Sequence, residues 1–166
     1  DTDFVDLAVP SSWHMVDPAG NAPFGRPAYL NTNYPILVPA SDEDIVVPNE
    51  NPTGCYRHTF EVGKEFTDAK RVLLRFEGVD SFARVWFNGV ELGWTKGSRL
   101  TSEFDVTSQL RSGRNVLAVA VSQWSDGTFF EDQDMWRMSG IFREVTLLAR
   151  PHGGIDDLFV HAAWVG

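Results

Sequence analysis

Between Trp124 and Arg143 the chain reads WSDGTFFEDQDMWRMSGIFR, which crowds four carboxylates, two tryptophans, three phenylalanines and two arginines into a stretch without helix or strand periodicity. Carboxylates beside aromatic rings lose hydration and repel one another. Such a segment is ordered only where a cation, arginines or hydrogen-bond donors compensate it. Aromatic faces next to acceptor-rich carboxylates also match a sugar, which offers a flat C–H surface on one side and hydroxyl donors on the other. The chemistry expected is a carbohydrate site with a metal ion as candidate companion.

Within this stretch the residues divide by expected task. Asp134 offers a hard anionic oxygen suited to a small cation or a sugar hydroxyl, and the competing use is a surface ion pair with Arg137. Glu131 and Asp132 are expected in structural roles, pairing with Arg137 or Arg143 or accepting backbone N–H groups. Asp126-Gly127 reads as a tight turn. Trp136 has the shape to stack on a sugar, but core packing is the default for it and for Trp124, Phe129 and Phe130, as for large aromatics beside Met135 and Met138. Asp132 and Asp134 are too close in the chain to flank a scissile glycosidic bond from opposite sides. Hydrolysis asks for carboxylates about 5–9.5 Å apart across that bond, so the pattern points to binding. His14, His58, His152 and His161 show no metal-ligand spacing.

The elements that position this stretch read as strands. Tyr56, His58, Phe60 and Val62 alternate with Arg57, Thr59 and Glu61, and Arg71–Gly78 and Phe82–Phe87 repeat the period of two. Asn88-Gly89, between Val85-Trp86-Phe87 and Val90-Glu91-Leu92, is the strongest hairpin signal in the chain. Phe104-Asp105-Val106 is a short strand, Thr107–Leu110 one turn of helix capped by Thr107, and Ser112–Asn115 a turn. The apolar run Val116–Val121 suits a strand covered on both faces, and Ile141–Ala149 alternates again. Many short strands and almost no helix give an all-β sandwich of antiparallel strands.

Residues 1–52 hold most of the nine prolines and read as an extended arm with Trp13, Phe24, Tyr29 and Tyr34 as anchors. The body spans 53–151. After the break at Pro151-His152-Gly153-Gly154, residues 152–166 form a linker and one further strand from Ile155 to Trp164. That strand opens a following domain or, alternatively, edges the same sandwich.

A chain of 166 residues supports one sizeable core. The net charge of −9 disfavours a nucleic-acid partner, and no apolar run approaches a membrane span. Cys55 is the only cysteine, so an intrachain disulfide and a cysteine zinc site are excluded; it is expected to be a small buried hydrophobe. The absence of disulfides leans toward the cytoplasm, and no signal-peptide pattern is visible at the start.

Four motifs together are more specific. The segments at 50–56 (ENPTGCY), 87–89 (FNG), 98–105 (SRLTSEFD) and 124–143 closely resemble the N-terminal sugar-binding domain of glycoside hydrolase family 2 β-galactosidases of the LacZ type, from about Val9 to Pro151. The resemblance implies a jelly-roll sandwich ahead of an immunoglobulin-like domain, whose first strand is Ile155–Trp164, and of a catalytic barrel carrying both catalytic glutamates. It implies that Asn51 binds the substrate galactose and that Asp134 contacts substrate and ligates sodium. The other sodium ligands and the magnesium ligands lie outside this chain. The parent enzyme is expected to be a homo-oligomer that hydrolyses β-galactosides. Read without the family, Asn51-Pro52 only starts a turn, although its amide can serve two neighbouring hydroxyls. The alternatives are a freestanding carbohydrate-binding module or lectin, and a purely structural or oligomer-forming sandwich.

Overall fold

The computed structural model describes residues 4–15, 24–31, 36 and 45–165. In chain order its strands are β1 (Ala28–Tyr29), β2 (Thr53–Val62), β3 (Arg71–Phe76), β4 (Phe82–Phe87), β5 (Val90–Lys96), β6 (Ser102–Asp105), β7 (Gly113–Ser122), β8 (Trp136–Arg137) and β9 (Val145–Arg150). Two single-turn α-helices, α1 (Lys64–Thr67) and α2 (Gly127–Phe130), and a 3-10 turn at Trp13–Met15 complete the described elements. A four-stranded sheet runs β2-β7-β4-β5, a three-stranded sheet β6-β3-β9, and a ribbon β1-β8, all with antiparallel pairing. This is the all-β, jelly-roll type of sandwich expected from the alternating runs.

The period of two decides which side chains fill the core. Leu117, Val119 and Val121 of β7, Ala83, Val85 and Phe87 of β4, and Val72, Leu74 and Phe76 of β3 are buried together between the two larger sheets. Burial of each larger side chain contributes roughly 1.5–3 kcal/mol. At the β4–β5 hairpin, Asn88 and Gly89 take φ of 51° and 85°, the left-handed pair a two-residue turn requires.

Several expectations are corrected. Val116–Val121 belongs to the longer β7, which begins at Gly113 rather than after a turn, and only alternate residues are fully buried. Its length reflects its central place, with β2 on one side and β4 on the other. Cys55 is exposed, because it shares the outward parity of Arg57 and Thr59. Thr107–Leu110 is a turn closed by Gln109 N–H and Leu110 N–H on the Val106 carbonyl. The Thr107 hydroxyl accepts from Val72 N–H at 2.8 Å and donates to Asp105 Oδ1 at 2.6 Å, so it ties the turn to β3 and to the end of β6. The strand predicted at 104–106 covers Ser102–Asp105, and that at 141–149 covers only Val145–Arg150. Ile155–Trp164 forms no ladder with the sandwich, and Ile155, Phe159 and Trp164 are exposed, so it is not an edge strand.

Of the arm anchors, Trp13 is buried in the core cluster, Phe24 and Tyr29 remain exposed, and Tyr34 lies outside the described residues. Ser11 and Trp13 donate backbone hydrogen bonds to the carbonyls of Ile141 and Ser139, so the arm fastens the end of the acidic loop to the body. Gly140, with φ of 137°, lets the chains approach there. A Cβ on it would stand 2.8 Å from the Ser11 carbonyl oxygen.

One polar group organises the far end of the sandwich. Asn115 is fully buried; its Oδ1 accepts from Asn88 Nδ2 and Arg111 N–H, and its Nδ2 donates to the carbonyls of Arg111 and Gly113. All four hydrogen-bonding positions of the amide are used, which is the condition for burying it at low cost. Asn115→Ala should lower the free energy of unfolding by about 2–3 kcal/mol, since buried partners are left unsatisfied. The exposed neighbour change Arg114→Ala should stay within about 0.5 kcal/mol in the same urea titrations.

Candidate functional site

The acidic stretch leaves β7 at Ser122 and is clamped at once. Gln123 N–H donates to the Pro52 carbonyl at 2.9 Å. The Asn51 side chain then grips the Trp124 peptide from both sides: Oδ1 accepts Trp124 N–H at 2.9 Å and Nδ2 donates to the Trp124 carbonyl at 2.8 Å. These bonds use one donor and one acceptor position of the amide, and leave one of each for another partner. The extended geometry that Pro52 imposes on Asn51 places this amide beside the loop.

Three of the four carboxylates are absorbed by the fold. Asp126 accepts from the N–H of Gly127 at the start of α2 and from Lys96 Nζ at 2.7 Å; the lysine bond holds its carboxyl below the usual range. Glu131 accepts Ser98 N–H at 3.2 and 3.1 Å and stands 3.7 Å from Arg99. Asp132 pairs with the buried Arg137. The structural roles expected for Glu131 and Asp132 are therefore seen, and the turn expected at Asp126-Gly127 is the cap of α2.

Beneath the loop lies an acid that sequence reading passed over. Asp80, mostly buried, is 3.7 Å from Arg99. Its carboxyl is pushed up to about 6, chiefly by burial; Arg99 and Arg137 oppose the rise and Glu131 adds to it. Asp80 and Gly140 exchange both backbone hydrogen bonds at 3.1 Å, so the acid is built into the same junction that the arm fastens. His14 lies nearby, its Nδ1 accepting Ser139 N–H at 3.2 Å, and burial lowers its pKa.

Asp134 stands apart. It is exposed, and no salt bridge reaches it among the described residues. The competing ion pair with Arg137 is not made; Asp132 takes that guanidinium. Instead Tyr29 Oη donates to Asp134 Oδ1 at 2.7 Å, and this bond raises the tyrosine pKa. Tyr29 reaches the site because β1 pairs with β8 in a register that sets Tyr29 opposite Trp136, their rings 5.5 Å apart. Such a cross-strand aromatic pair contributes roughly 0.2–1 kcal/mol. The core-packing default fails for Trp136, which is 55% exposed, and for Phe130, which is 73% exposed. Both rings carry apolar surface outward on the loop that carries Asp134.

Asn51 and Asp134 do not line a common cavity, but their neighbours do. Trp124, gripped by Asn51, and Met135, next to Asp134, line a common cavity with Asp80, Ser98 and Arg137. Its volume, about 20 Å³, admits a water molecule but no sugar ring. A much larger cleft of about 1210 Å³ is lined by core-facing residues such as Phe60, Leu117 and Val145, and neither Asn51 nor Asp134 lines it. Tyr29 was legible only as an aromatic anchor, and Asp80, Lys96 and Arg99 gave no sequence signal because their partners are distant in the chain.

The all-β sandwich thus carries an exposed acid and outward aromatic rings on one loop, whose start is held by the Asn51 amide. The family model for the sugar-binding domain of glycosyl hydrolases family 2 matches residues 3–151. A β-galactosidase of Arthrobacter sp. (strain B7) is 45% identical over 168 residues, covering 100% of this chain and 16% of that protein. A β-galactosidase of Enterobacter cloacae is 47% identical over 158 residues, covering 95% of this chain and 14% of its own length. Among solved structures, a Bacteroides uniformis β-glucuronidase matches with a TM-score of 0.54 at 27% identity, over 60% of this chain and 12% of that one. The chain belongs to glycosyl hydrolase family 2, matching that family's sugar-binding domain. It spans about one-sixth of the length of the relatives it matches.

The buried acid gives a pH prediction. Asp80 has a folded pKa near 6, above its unfolded value, so the fold favours its protonated form. That contribution is fully present below about pH 4 and is lost as pH rises through 6. The stability of wild type relative to Asp80→Asn should thus fall by about 2–3 kcal/mol between pH 4 and pH 7. Urea titrations of both proteins across that range check it.

Proposed function

We propose that this domain contributes galactoside contacts to the active site of a β-galactosidase, with Asn51 and Asp134 as its substrate-binding residues and the catalytic glutamates in a barrel domain outside this chain. The observation that carries the reading is the inequality among the loop carboxylates. Asp126, Glu131 and Asp132 are bound to Lys96, Arg99 and Arg137, whereas Asp134 is exposed with a single neutral donor. An exposed carboxylate with acceptor capacity to spare is suited to a sugar hydroxyl. The remaining donor and acceptor of the Asn51 amide suit a second one.

The charge left on Asp134 also bears on which sugar is taken. A galactoside is neutral, while a glucuronide carries its own carboxylate, and like charges brought together are penalised. The names of the two similar β-galactosidases point the same way.

Sodium fits the donor set in part. Asp134 supplies one hard anionic oxygen, and no group of three or more acid, histidine or cysteine side chains that could hold a metal occurs among the described residues. Asp134 would hold the ion as one ligand of a shell completed from elsewhere, and the bound ion would supply a fixed positive charge beside the sugar hydroxyls. Magnesium of the parent enzyme has its ligands outside this chain. The contribution of Asn51 and Asp134 is to hold the galactosyl ring while it moves toward an oxocarbenium-like state, so their bonds must strengthen along that path.

In the full-length protein, Asp134→Ala should lower kcat/KM for a nitrophenyl β-galactoside by about ten- to a hundredfold, the worth of a hydrogen bond to a charged group. Asn51→Ala should lower it at least tenfold. It should also destabilise the domain by about 1–2 kcal/mol, because the Trp124 peptide loses both clamps. Wild-type kinetics for both variants would remove these roles.

A further inference from the structure

Resting on that reading of Asp134, we infer that Tyr29 is a positioning residue of the sugar site: its phenol, set by the β1–β8 register, fixes the Asp134 carboxylate so that one oxygen faces an incoming hydroxyl. The hydrogen bond from Tyr29 Oη goes to Oδ1 at 2.7 Å, and the other carboxylate oxygen keeps its acceptor positions. An exposed aspartate on a loop otherwise samples several rotamers, and each binding event has to restrict it. A donor already in place removes that cost before the ligand arrives.

The kind of donor matters. A lysine or arginine in this place would fix the carboxylate and also cancel its charge, as Lys96 does for Asp126 and Arg137 for Asp132. A phenol orients the carboxylate and leaves the charge in place for the ligand. The tyrosine is itself held: it sits directly across the ribbon from Trp136, and Ala28 sits across from Arg137, whose guanidinium is paired with Asp132. The Trp136 ring, 5.5 Å from that of Tyr29, limits the swing of the phenol. Residues far apart in the chain, on either side of the sandwich body, thus build one carboxylate mount.

The test is a double-mutant cycle in the full-length protein with a nitrophenyl β-galactoside as substrate and galactose as competitive inhibitor. Tyr29→Phe removes only the phenolic oxygen and keeps the ring beside Trp136. It should lower kcat/KM about tenfold and weaken galactose inhibition by a similar factor, with an unchanged thermal midpoint. In an Asp134→Asn background the same change should cost less than about twofold, since the two residues act as one unit. Equal losses in both backgrounds would show that Tyr29 acts independently of Asp134 and would overturn the inference. Wild-type kinetics in Tyr29→Phe, with Asp134→Asn impaired, would overturn it while leaving the site reading intact. Wild-type kinetics in Asp134→Asn would remove both.

Discussion

Neutralising a crowded acidic loop is the constraint on which this structure depends. Four carboxylates on the 124–143 stretch and the buried Asp80 beneath it cannot share so small a volume without compensation. The fold answers with cations from other strands and turns: Lys96 at the end of β5, Arg99 in the turn after it, and Arg137 in β8. Backbone donors at Ser98 and Gly127 finish the task. The sandwich brings these groups together, so the loop is ordered by the body and cannot be ordered alone. Asp134 is the acid this scheme leaves over, and the sugar contact proposed for it rests on that remainder.

The mechanical support is distributed in the same way. Asn51 closes on the Trp124 peptide at the start of the loop, and Ser11 and Trp13 close on Ser139 and Ile141 at its end. Between these clamps the loop turns the rings of Trp136 and Phe130 outward. At the opposite end of the sandwich the Asn88–Asn115 hub ties the hairpin turn to the β6–β7 connection and fixes the register of the four-stranded sheet. Register at one end and acidic loop at the other are coupled through β7, which carries both.

Alternation made most of the sandwich legible in the sequence. Phe82–Phe87 and the Asn88-Gly89 hairpin appear as read, since side-chain parity and a left-handed turn are local properties. The same parity, applied consistently, would have placed Cys55 outward with Arg57. Local reading failed where tertiary partners decide the outcome: Thr107 is drawn to β3, and the rings of Trp136 and Phe130, expected to fill the core, stay outward. Asn51 and Asp134 were legible only through motif resemblance, because an Asn-Pro pair and one acid among four carry little signal of their own. Tyr29 and Asp80 gain their significance from contacts across about a hundred and about twenty to fifty residues of chain, respectively, which no local pattern encodes.

The most direct measurement is a crystal structure of the full-length protein with a bound galactoside. The account predicts an Asp134 carboxylate oxygen within about 3.2 Å of a sugar hydroxyl or of a cation that itself touches the sugar, with Asp126, Glu131 and Asp132 still on their protein partners. A sugar bound with Asp134 turned away, or Asp134 paired to a basic side chain of another domain, would contradict it.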